Sequence, residues 1–128
     1  MMKSYFTGIK PLLINQIQQA QHSIQIAVAW FTDNDVLEIL LSKCKAGVSV
    51  KILISNDSKN FNESYSLDFT PFQQIGGKLM VVEESFMHHK FCIIDQTILL
   101  TGSANYTYNG FYKNKESIFL IHADAALM

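Results

Sequence analysis

His88 and Lys90 stand two residues apart just ahead of an apolar run, and Ser103 and Asn105 stand two apart just behind it, in MHHKFCIIDQTILLTGSANYT over 87–107. One imidazole able to act as nucleophile or base, one fixed cation and two neutral donors make a set suited to holding an anion and attacking it. Alternation along a strand puts His88 and Lys90 on one face. His89 then falls with Phe91 and Ile93 on the other, packed behind the site or hydrogen-bonded for structure. A two-residue turn at Asp95-Gln96 or at Gln96-Thr97 would bring His88, Lys90, Thr101, Ser103 and Asn105 onto one face. A three-residue loop would turn those side chains over.

The elements that must position this hairpin are legible around it. Pro11 and LLINQIQQAQ read as a first helix with Leu13, Ile17 and Ala20 along one face, and SIQIAVAWF over 23–31 as a strand. Thr32 in TDND resembles a capping box ahead of VLEILLSKCKAG, whose apolar positions Val36, Ile39, Leu40 and Cys44 run to a stop at Gly47. VSVKILIS over 48–55 is the next strand, and strand-helix-strand order predicts a parallel unit. NDSKNFNESYS reads as a polar surface loop and LDFTPFQQIGG as a short helix with Pro71 in its first turn. With KLMVVEE, the two hairpin strands and ESIFLIHA, the expected architecture is α/β: a mixed, mainly parallel β-sheet of six strands flanked by three helices.

At 128 residues the chain is expected to be one domain, 1–128, large enough to bury roughly two-thirds of its unfolded surface. Hydrophobic residues make up 48% without a run long enough to span a bilayer, so no stable membrane association is expected. MMKSYFTG lacks the basic and apolar regions of a signal peptide, from which a cytoplasmic location is expected. Cys44 and Cys92 then read as small buried hydrophobes rather than a disulfide. The net charge is −1 and all ten basic residues are Lys, so any phosphate site must be local and built from point charges, with no bidentate guanidinium.

Written as spacing, the central segment is HxK, four residues, Asp, six residues, then GSxN. It resembles the HKD motif of the phospholipase D superfamily at His88, Lys90, Asp95, Gly102, Ser103 and Asn105. The upstream order of elements also resembles small single-motif bacterial members of that family, so the likeness covers nearly the whole chain. It departs at the C-terminal end, where ADAALM reads as the first turn of a helix that stops before it can bury a face.

The resemblance implies a phospholipase D/nuclease-like fold, no metal and no other cofactor, and a homodimer with a shared active site. It also implies that Glu116, at the head of the final strand, orients the His88 imidazole. Chemistry points to the same dimer: a lone histidine cannot easily be both nucleophile and leaving-group acid in one step, and neither His22 nor His122 repeats HxK. Asp95 is expected to serve local hairpin architecture, and Gly102 to be structural. Tyr106, Tyr108, Lys113 and Lys115 in YTYNGFYKNK would suit stacking of a single-stranded nucleic acid, or would simply pack as an ordinary loop.

Three functions follow as expectations. The first is a metal-independent phosphodiesterase, a nuclease of low sequence specificity with DNA or RNA as substrate. The second is a phospholipase or phosphatidyl transferase, although no amphipathic basic helix for a lipid surface stands out. The third is a catalytically idle nucleic-acid-binding domain of a larger protein.

Overall fold

The computed structural model describes residues 2–83 and 89–122; His88 and ADAALM lie outside the described residues. In chain order the elements are β1 (Met2–Tyr5), α1 (Ile9–Gln18), β2 (Ser23–Val28), α2 (Asn34–Lys45), β3 (Ser49–Ser55), α3 (Ser58–Phe61), α4 (Thr70–Gln74), β4 (Lys78–Val82), β5 (Lys90–Ile94), β6 (Ile98–Gly102), a π-helical turn (Asn109–Lys113) and β7 (Ile118–His122). The described strands form one sheet in the order β1-β7-β6-β5-β2-β3-β4, with β5 at its centre.

The mixed α/β sheet flanked by helices is the expected one, with two differences. Parallel pairing is confined to β2–β3–β4, whose strands are joined by helical crossovers through α2 and through α3 and α4, and the four remaining pairings are antiparallel. A seventh strand, β1, pairs with β7 along the edge of the sheet. Its sequence, MKSY, has no alternation that would single it out.

One face of the sheet carries Ile24, Ile26, Val28, Ile52, Ile54, Cys92, Ile94 and Leu100, all essentially inaccessible to water. Leu13 and Ile17 of α1, Val36 and Leu40 of α2 and Phe72 of α4 join them in a single core. Each such side chain contributes about 1.5–3 kcal/mol by leaving water. Cys92 belongs to this core and Cys44 is half-buried; both are free thiols, and burial pushes the Cys92 thiol far above its ordinary range.

Helix α2 starts one residue later than the capping box predicts. Asp33, not Thr32, is the N-cap, accepting from the Val36 amide at 3.0 Å, and Lys43 and Lys45 sit in the last turn where the helix dipole favours cations. Asp33 also meets Lys10 of α1 at 3.0 Å, and Lys10 reaches Asp35 at 2.8 Å, tying the two helices together. Burial opposes the Lys10 charge, but those carboxylates outweigh it and hold the ammonium above its usual range.

The segment expected to be a plain loop contains α3, capped by Asp57, and places Asn60 in the core. The Asn60 Oδ1 accepts from the Phe31 amide at 2.8 Å, and its Nδ2 donates to the Ala29 and Ser55 carbonyls, each at 2.8 Å. One amide side chain thus joins the carboxyl ends of β2 and β3.

Candidate active site

The sheet's geometry brings four strand ends together: the carboxyl ends of β2 and β6 and the amino ends of β5 and β7. Lys90 opens β5, half-buried and paired with Val28. Gly102 closes β6 opposite Ile118. A Cβ at Gly102 would lie 2.1 Å from the Ser117 carbonyl oxygen and 2.8 Å from the Ile118 Cα, so only glycine lets β6 and β7 approach this closely.

Immediately beyond, Ser103 and Ser117 clasp the two strands. The Ser103 amide donates to the Ser117 carbonyl at 3.0 Å, and the Ser117 amide donates to the Ser103 hydroxyl at 3.0 Å. Ser103 remains exposed, and half-buried Glu116 adjoins this clasp. Both line a hollow of about 700 Å³ that also takes in Lys113 and Lys115.

Asn105 reaches the carboxyl end of β2, where its Oδ1 accepts from the Trp30 amide at 3.1 Å. The Tyr106 amide donates to the Trp30 carbonyl at 3.1 Å, and its carbonyl accepts from Thr32 and Asp33 at 2.9 and 3.0 Å. Gly110 lets the following turn close on this segment, since a Cβ there would stand 2.2 Å from the Asn105 carbonyl oxygen. Asn105 lines a second groove, of about 490 Å³, and Asn114 borders both spaces.

Lys90, Ser103, Asn105 and Glu116 therefore gather at one end of the sheet, but by a different route from the one alternation predicts. Ile94 pairs with Ile98 across three residues, Asp95, Gln96 and Thr97, the first two left-handed at φ 53 and 57. Phe91 is consequently opposite Thr101, so Thr101 lies on the face away from Lys90, correcting the single-face arrangement. Ser103 and Asn105 arrive because the chain leaves β6 after Gly102, not because they continue its alternation. His89 is exposed, its ring 5.9 Å from that of Phe91, rather than packed behind the site.

Asp95 sits at the other end of β5. Its carboxylate accepts from the amides of Gln21 (3.0 Å), His22 (2.7 Å) and Ser23 (3.0 Å), so its hydrogen bonds reach the start of β2 rather than its own hairpin turn. Tyr106 requires a correction. It is buried, edge-on to Phe31 and stacked on Phe111, and offers no surface to a nucleic acid. Burial pushes its phenol well above the ordinary value. Tyr108, Lys113 and Lys115 are exposed, with the Lys113 Nζ 5.8 Å from the Tyr108 ring centre.

Sequence reasoning missed two contributors. Asn60 was hidden in a polar stretch where an asparagine reads as turn chemistry, and its only signal is Asp57 acting as a cap ahead of it. Trp30 looked like strand core, yet it follows β2, is half-exposed, and carries the Lys59 ammonium 3.7 Å above its ring centre.

A family model described as "Cardiolipin synthase, PLD-like domain" matches residues 13–128. Among curated proteins the chain is 31% identical over 109 residues to a mitochondrial cardiolipin hydrolase of Xenopus laevis, covering 84% of this chain and 50% of that protein. It is also 31% identical over 118 residues to cardiolipin synthase 1 of Bacillus cereus, covering 90% of this chain and 23% of that protein. The chain thus spans half or less of the length of these relatives. Among solved structures it is similar to a phospholipase D family member, Nuc from Salmonella typhimurium, with a TM-score of 0.86 and 25% identity over 99% of this chain and 86% of that one. NucT from Helicobacter pylori shares the fold at a TM-score of 0.76, with 22% identity over 99% of this chain and 87% of that one.

Proposed function

Because the chain belongs to the phospholipase D superfamily, whose members cleave or transfer phosphodiesters, we propose that it is a metal-independent nuclease acting on DNA or RNA with little sequence preference. The observation that carries this reading is that Lys90, Ser103, Asn105 and Glu116 lie at one end of the sheet, with the motif's His88 two positions before Lys90 in sequence.

In the proposed reaction a neutral nitrogen of His88 attacks phosphorus in line, forming the N–P bond as the P–O bond to the leaving alkoxide breaks. Glu116 accepts a hydrogen bond from the other ring nitrogen, fixing the tautomer and stabilising the positive charge that develops. Lys90, Ser103 and Asn105 hold the non-bridging oxygens. The alkoxide takes its proton from the partner subunit's His88 in a C2 dimer. That imidazole, now neutral, draws a proton from the water that hydrolyses the phosphohistidine.

The exposed Tyr108, Lys113 and Lys115 beside the site, ring and ammonium groups suited to a single strand, support a nucleic-acid substrate. A second reading, lipid phosphodiester cleavage or transfer, is favoured by the names of the curated relatives. Among the described residues no helix is long and apolar enough to cross a membrane.

The test incubates the protein in EDTA with single- and double-stranded DNA, RNA and cardiolipin vesicles, beside His88→Ala. Nucleic acid should be cut at an undiminished rate in EDTA, and the substitution should slow cutting by about 10³-fold or more. Cleavage of lipid alone would reverse the choice of substrate. Loss of activity in EDTA, restored by added metal, would remove the mechanism.

A further inference from the structure

We propose that the groove beside Asn105 is a nucleobase subsite, receiving the base next to the phosphodiester that is cut. This deepens the nuclease reading and rests on it for the placement of the phosphate. Its volume, about 490 Å³, lies within the range of small-ligand sites, roughly 300–1,000 Å³.

Three rings line it: Trp30, Tyr65 and Tyr108, the two tyrosines 52% and 61% exposed. Flat rings held open to water at a groove wall are stacking platforms for a planar base. Among the described residues Lys59 is the one cation lining the groove, 3.7 Å over the Trp30 ring. Its ammonium can move from the indole face to a backbone phosphate when a base arrives to take its place. Asp33, the one carboxylate lining the groove among the described residues, is already paired with Lys10 at 3.0 Å, which leaves the Lys59 ammonium to meet an anionic strand.

The amides of Asn109 and Asn114 border the same space and can donate to and accept from base edges. An acyl chain would find these polar groups interrupting the apolar wall, so the chemistry favours a base over a lipid tail. Asn105 links the groove to the proposed phosphate site, since its side chain lines the one and is assigned to the other.

The test uses the chain's single tryptophan, Trp30, as reporter. His88→Ala protein, which removes turnover, is titrated with oligothymidylate and with an abasic oligomer of equal length while Trp30 emission is followed. The base-bearing oligomer should produce a saturable change at roughly 5- to 150-fold lower concentration than the abasic one, as expected for one stacked base. Tyr65→Ala, at an exposed position, should collapse that preference, and Tyr108→Ala should do the same. Equal response to both oligomers, or a response to cardiolipin vesicles alone, would overturn the proposal. A base-dependent response from protein whose wild-type form cuts no nucleic acid would keep the subsite and remove the nuclease reading. Cutting of nucleic acid without any preference for bases would do the reverse.

Discussion

At the scale of single residues, Asp95 shows how a motif position can matter without touching the chemistry. Burial raises its pKa, but the amides of Ser23, Gln21 and His22 outweigh it and hold the carboxyl below its usual range. An unfolded Asp titrates near about 3.9. A depressed folded value means the stabilisation is present above that pH and is lost as pH falls through the folded value. Asp95→Asn should therefore cost about 1–3 kcal/mol at pH 7. The gap to the native protein should shrink in urea titrations at progressively lower pH, and a gap that persists unchanged in acid would contradict this account. Asn60 is the second decisive residue. Asn60→Ala would strand the Phe31 amide inside the core, while the Ala29 and Ser55 carbonyls would keep the Ser55 and Asp57 amides as donors and lose only their second partner. Thermal or urea unfolding should show a loss of about 1–3 kcal/mol, the cost of one buried donor left unpaired.

At the scale of elements, the hairpin and its neighbour β7 decide where the site residues fall. Gly102→Ala puts a methyl group against the backbone of Ser117 and Ile118, where no side chain can swing aside. The strands must part, so the variant should lose about 1–3 kcal/mol of stability. Its activity should fall further than unfolding alone explains, because Ser103 and Glu116 move with the displaced clasp; comparing kcat with the folded fraction checks this. The same hairpin shows what was legible in advance. Strong periodicity made α1, α2, β2 and β3 readable, and the fixed spacing marked Lys90, Ser103 and Asn105. Turn length is another matter. Asp95-Gln96 has no glycine to announce two left-handed residues, and what holds Asp95 there is three amides more than seventy positions away in sequence. Tyr106 was misplaced for a related reason: its alternation with polar neighbours looks like a loop, while burial against Phe31 comes from tertiary packing alone.

At the scale of the whole molecule, the proposed chemistry demands two imidazoles on opposite sides of one phosphorus, and this chain has one HxK. A C2 assembly makes the active unit a pair, which gives mixing experiments a distinctive form. Wild-type protein and His88→Ala are combined at fixed total concentration, dissociated and reassociated so that subunits pair at random. If each site needs both histidines, only pairs of two wild-type subunits turn over, and activity follows the square of the wild-type fraction. An equal mixture should then retain about a quarter of the activity of undiluted wild type. A chain that completes the reaction with its own imidazole would retain about half, following the fraction itself. Light scattering on the same samples separates the cases further, since the quadratic law should hold only where the mass is that of two chains. Dilution below the dissociation constant should extinguish turnover without unfolding the sheet, because each subunit keeps its own core while losing the second imidazole.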